Sequence, residues 1–123
     1  MLTLPGSVKV FLCLVPVDMR LSFDRLAALV TDFHGEDPLS GHLYAFFSRR
    51  RNRVKVLYWD RDGLALWHKR LERGTFPFPS PSSSASLSVT PGELAMLLDG
   101  VNPAPARRRA RFVLPPPEDR KKT

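Results

Sequence analysis

Five cations crowd seven consecutive positions of this chain: Arg49, Arg50, Arg51, Arg53 and Lys55. Guanidinium and ammonium groups at that density hold phosphate through charge-assisted hydrogen bonds and through release of condensed counterions. On a two-stranded ribbon, Arg53 and Lys55 share one face by the period of two. A cationic ribbon can enter a DNA major groove or grip phosphates from its tip. Lys69, Arg70 and Arg73 extend the candidate set and are expected on the same side. The same residues also suit a plainer part, a solvated turn whose charges discourage pairing between sheet edges. The neighbouring Tyr44, Tyr58, Trp59 and Trp67 suit a core better than a base-stacking platform.

No other spacing supports a reaction. His34, His42 and His68 follow no metal-ligand pattern, and neither C-x-x-C nor H-E-x-x-H occurs. Asp60-x-Asp62-Gly63 resembles the opening of a calcium loop, but its twelfth position is Leu71 where that loop needs glutamate. Asp18, Asp24, Asp60 and Asp62 could in principle feed a two-metal nuclease, yet a turn and a helix start account for three of them. There is no glycine-rich phosphate loop and no serine in a nucleophile motif. The reading is of a non-enzymatic protein without cofactor, metal or small-molecule substrate.

Charge distribution sharpens this. The chain has 123 residues, enough for one domain, with 43% apolar and 25% charged residues and a net charge of +7. Residues 49–74 carry +6 and residues 104–123 carry +5, whereas residues 1–48 and 75–103 carry −2 each. One basic block thus lies inside the expected fold and the other in a tail. Such an excess favours polyanionic partners. The single cysteine, Cys13, excludes an intrachain disulfide. Lys9 and Pro16 interrupt the apolar N-terminal stretch, unlike a signal peptide, and no apolar run reaches the ~20 residues of a membrane span. A cytoplasmic protein with no membrane partner is expected.

The elements that must position the cations read as follows. Val8–Val15 is a strand closed by Pro16. A helix runs from the cap Ser22 to His34 and stops at Gly35, with Phe23, Leu26, Ala27, Val30 and Phe33 as its apolar stripe and Leu21/Leu26 as a staple. Leu43–Phe47 and Val54–Trp59 form a hairpin around the basic turn. After Asp60-Arg61-Asp62-Gly63, residues 64–73 fit either a helix or a strand, and a strand continuing the meander is preferred. Thr75–Pro79 reads as a short edge strand, and residues 80–88 as a flexible Ser/Pro loop. A second helix begins at the capping box of Thr90 and Glu93 with Pro91 at its first position. Leu94, Leu97, Leu98 and Val101 form its stripe. The sum is one α+β domain over residues 1–103, a small, mainly antiparallel sheet with a basic hairpin, packed by two amphipathic helices. A disordered basic tail follows over residues 104–123.

Several blocks together are distinctive: Pro16-Val17-Asp18-Met19-Arg20, Asp37-Pro38-x-Ser40-Gly41-His42-Leu43, Leu57-Tyr58-Trp59-Asp60-Arg61-Asp62-Gly63 and Trp67-x-Lys69-Arg70-Leu71-Glu72-x-Gly74-x-Phe76. With them, residues 2–101 closely resemble the TnpB-type accessory proteins, the second reading frame of the insertion sequence 66 family. The resemblance implies a bacterial protein encoded beside a transposase, which supports DNA transposition without performing the strand chemistry. DNA and that transposase are the partners it suggests. The chain would bind DNA through the hairpin, or alternatively dock on the transposase without touching DNA. One departure stands in the hairpin turn. Where such proteins usually place glycine after the paired arginines, this chain has Arg51-Asn52, and Asn52 is expected to take the positive φ.

Overall fold

Two strands are apolar without alternation because both their faces are covered. These are β1 (Val10–Cys13) and β2 (Leu43–Phe47), which lie inside a five-stranded sheet in the computed structural model, where residues 7–77 and 85–101 are described. The remaining strands are β3 (Arg53–Asp60), β4 (Gly63–Arg70) and β5 (Ser86–Val89). The order across the sheet is β4-β3-β2-β1-β5, parallel between β1 and β2 and antiparallel elsewhere. A parallel neighbour requires a crossover. Here the crossover contains α1 (Phe23–Leu29) and a π-helical turn, Val30–His34.

The crossover covers one face of the sheet. Leu26 and Val30 pack there with Cys13, Val17, Tyr44, Phe46 and Leu57. On the opposite face Val10, Leu12, Ala45, Phe47, Val54 and Val56 meet Phe76 and, from α2 (Pro91–Leu98), Leu94 and Leu97. Each large side chain buried in this way contributes about 1.5–3 kcal/mol. The helix α2 starts as its sequence demands. Glu93 N–H donates to Thr90 Oγ1 at 3.0 Å, and Thr90 N–H donates to Glu93 Oε1 at 2.9 Å.

The α+β architecture and the β2–β3–β4 meander agree with the sequence reading, and residues 63–70 are strand. Several details differ. Ser22 precedes α1 without a side-chain cap bond, and the last turn before Gly35 widens from α to π geometry. That turn sets His34 Nδ1 2.6 Å from Ser86 Oγ. Residues 86–88, expected in the flexible loop, belong to β5, because Leu87 and Val89 supply apolar contacts and the backbone pairs with β1. Thr75–Pro77 is not strand; it is an irregular segment that seats Phe76 in the core, and Phe78 and Pro79 lie outside the described residues. Val101 stands 47% exposed rather than completing the stripe of α2. Residues 80–84, the tail from 104 and the side chain of Phe33 also lie outside the described residues.

Candidate nucleic-acid interface

The turn between β2 and β3 is held from both sides. Ser48 N–H donates to Arg53 O, Arg51 N–H donates to Ser48 O, and Ser48 Oγ reaches Asn52 Oδ1 at 3.2 Å. From the far side, Leu71 N–H and Phe76 N–H donate to Asn52 O and Arg51 O, both at 2.7 Å. The chain that follows β4 therefore braces the turn, and the arginines project from fixed backbone. The left-handed residue is Arg51, with φ 59°, and not Asn52 as expected.

A second segment meets the turn. Val17 is buried and its N–H donates to Phe47 O at 2.9 Å, which anchors Asp18-Met19-Arg20 beside Ser48. Asp18 accepts from Arg20 N–H at 2.9 Å and from the Arg20 guanidinium at 2.8–3.1 Å. That guanidinium holds the Asp18 carboxyl well below the usual carboxylate range, at about 2, and the carboxylate in turn raises the pKa of Arg20.

These elements enclose an open cleft of ≈ 480 Å³ between Asp18 and Arg20 on one side and Ser48, Arg49, Arg50, Asn52 and Arg53 on the other. Arg53 also borders a neighbouring cleft of ≈ 360 Å³ with His68, Arg70 and Glu72. Arg53 and Arg70 are cross-strand partners, so they occupy the same face. Partial burial lowers the pKa of His68, and the positive charges of Lys55, Arg53 and Arg70 lower it further. Cationic side chains are thus gathered at one end of the sheet.

Of the eight sequence candidates, Arg49, Arg50, Arg53 and Arg70 line the two clefts. Arg51 is half-buried and lines neither. Arg73 is exposed in the segment after β4 and also lines neither. Lys69 pairs with Val54 and faces the other side of the sheet from Arg70, because adjacent strand residues alternate. Lys55 is a correction. It shares a face with Arg53 but is 7% exposed, and its Nζ donates to Leu21 O at 2.7 Å. Its charge is directed inward, to the backbone carbonyl of Leu21 just before α1. Sequence reasoning does not pick out Arg20 and Asp18 as site residues; the only signal is the Pro16–Arg20 block itself.

Tyr44 is fully buried and its hydroxyl donates to Asp37 O, whereas Tyr58, Trp59 and Trp67 are half-buried. Among the described residues no three His, Cys, Asp or Glu side chains group as a metal site, and no helix is long and apolar enough to cross a membrane.

Comparison with known proteins agrees with the motifs. The chain is 35% identical over 96 residues to the uncharacterized protein y4hO of Sinorhizobium fredii, covering 78% of this chain and 83% of that protein. It is 32% identical over 103 residues to the uncharacterized protein y4jC of the same organism, covering 84% and 87% respectively. No solved structure is significantly similar. The family described as "IS66 Orf2 like protein" matches residues 8–108, which reaches into the segment expected to be the tail. The chain belongs to the IS66 Orf2-like family.

Proposed function

We propose that this protein supports transposition as a non-catalytic factor that grips DNA phosphates with the cationic end of its sheet. The family carries a transposition-associated accessory role. What supports the finer reading is the convergence of Arg49, Arg50, Arg53 and Arg70 on two clefts that share Arg53 as their common wall. Ser48 and Asn52 line the first of these clefts as neutral polar groups. Arginine forks suit phosphate because their donors match its oxygens in pairs. The braced turn lowers the ordering cost of binding.

The test compares binding to the element's terminal DNA and to scrambled DNA across a salt series. Arg53→Ser is expected to weaken both, and to reduce the salt slope by about 0.9 for each phosphate no longer neutralised. Unchanged affinity and slope in an Arg49/Arg50/Arg53 triple serine variant would rule this surface out. Absence of DNA binding, with co-purification of the transposase after nuclease treatment, would instead favour a docking module.

A further inference from the structure

The strand β4 is eight residues long and forms one edge of the sheet; among the described residues no strand lies on its outer side. Its inward bonds can be assigned. The tight Asp60↔Gly63 pair closes the hairpin, and Leu71 N–H donates to Asn52 O, so the odd-numbered positions bond toward β3. Leu64, Leu66, His68 and Arg70 therefore turn their N–H and C=O groups outward. The strand contains no proline, and Leu64, Ala65, Leu66 and Trp67 remain half-exposed at its centre. Its two ends differ in charge. Asp60, Arg61 and Asp62, net −1, stand in the turn from β3 that leads into its start, with Asp62 next to the edge, and His68, Lys69 and Arg70 stand at the finish, all exposed.

An edge that is acidic at one end and basic at the other complements itself when turned through 180°. We propose that a second copy of this chain pairs there, β4 against β4 in antiparallel fashion, about a two-fold axis at Leu66. That register sets Asp62 of each copy opposite Arg70 of the other, and Leu64 opposite His68. Shifting the axis to Trp67 sets Arg70 opposite Leu64, and shifting it to Ala65 carries Arg70 past Asp62 to Asp60, which belongs to β3 and not to this edge, so the Asp62–Arg70 match favours the Leu66 register. Arg70 meets Glu72 of its own chain at 3.0 Å, but both are largely exposed, and such a pair is readily exchanged.

The axis stands perpendicular to the sheet, so both copies present the Arg53–Arg70 face on the same side. The two Arg70 positions lie eight residue steps apart, about 27 Å, and the two Arg53 positions about 30 Å apart across three strand spacings. One turn of DNA is about 34 Å. Resting on the phosphate-binding reading, the dimer would thus engage Arg70 at the interface and offer paired clefts walled by Arg49, Arg50 and Arg53 to successive turns of one duplex face. The interface is a single strand edge, which places it in the weak class of associations.

Sedimentation of the full chain without DNA tests the pairing independently of that reading. The expected result is a monomer–dimer equilibrium that shifts to monomer in Asp62→Arg and in Arg70→Asp, and returns in the double variant. A wild-type chain that stays monomeric at every concentration overturns the proposal. So does a dimer indifferent to the single changes, or one that the double variant fails to restore. Asp62→Arg keeps every cleft arginine. If it turns monomeric yet binds short DNA with an undiminished salt slope, both readings stand. If the dimer behaves as expected but neither wild type nor any variant binds DNA, only the phosphate reading falls.

Discussion

Lys55 and Leu21 are 34 residues apart in the chain, yet the lysine ammonium donates to the leucine carbonyl at 2.7 Å. The bond ties the middle of β3 to the residue that leads into α1. It also separates two cations that share a strand face, Arg53 at the cleft wall and Lys55 underneath it. Lys55→Met keeps the aliphatic stem and removes the donor. We expect a loss of about 1–2 kcal/mol in urea unfolding, in the range of a charged hydrogen bond. The salt slope for DNA should stay that of wild type, in contrast to Arg53→Ser. A Lys55→Met protein of unchanged stability but reduced slope would place Lys55 on the surface.

Arg51 carries backbone strain. Its φ of 59° lies in the left-handed region, which costs an L-residue about 1–2 kcal/mol and glycine little. Arg51→Gly is expected to raise stability by about 1 kcal/mol once the extra freedom of glycine in the unfolded chain is subtracted. Arg51→Val should lower it, since a β-branched side chain tolerates that region least. Midpoints of denaturant unfolding for the two variants should therefore move in opposite directions. If Arg51→Gly unfolds earlier than wild type, interactions of the arginine side chain outweigh the strain.

What is legible in the sequence is local. Thr90-Pro91-x-Glu93 contains all the atoms of its own capping box, and Asp60–Gly63 contains its own turn. The strand preference for residues 64–70 follows from that turn, and the family from blocks of adjacent residues. What escapes the sequence depends on distant partners. The inward course of Lys55 needs the carbonyl of Leu21, and the placement of Arg20 at the cleft needs the Val17–Phe47 bond. Residues 86–88 look like a polar loop because serine dominates, but β1 offers them a free backbone edge. Residue preference puts the positive φ on Asn52, whereas the bonds that Leu71 and Phe76 make to the turn accompany it on Arg51. Even the face of Lys69 is in principle readable, since strand alternation separates it from Arg70 once residues 63–70 are known to be strand.

The capping box gives a control far from the cations. Thr90→Ala removes the acceptor for Glu93 N–H and is expected to cost about 1 kcal/mol in unfolding free energy. DNA affinity and its salt dependence should not move. A change in DNA affinity for this variant would mean that general stability, and not the cleft, governs binding.

His34 predicts an acid-side weakness of the fold. Its ring is half-buried among Phe11, Tyr44 and Phe46, and its Nε2 is buried without a hydrogen-bond partner. Desolvation lowers its pKa below the ordinary value of 6.5, with Glu36 opposing the shift. The sign follows from proton counting: near and below pH 6.5 the unfolded chain binds a proton that the folded chain resists, so stability falls as pH drops. Above that value both states are neutral and the contribution is constant. His34→Gln removes the titration, so its stability should decline less than that of wild type over the same interval. Chemical unfolding at a series of pH values measures both slopes, and NMR titration of the His34 ring should give a midpoint below 6.5. Parallel slopes for the two proteins would show that the ring stays solvated and that its contact with Ser86 does not bury it.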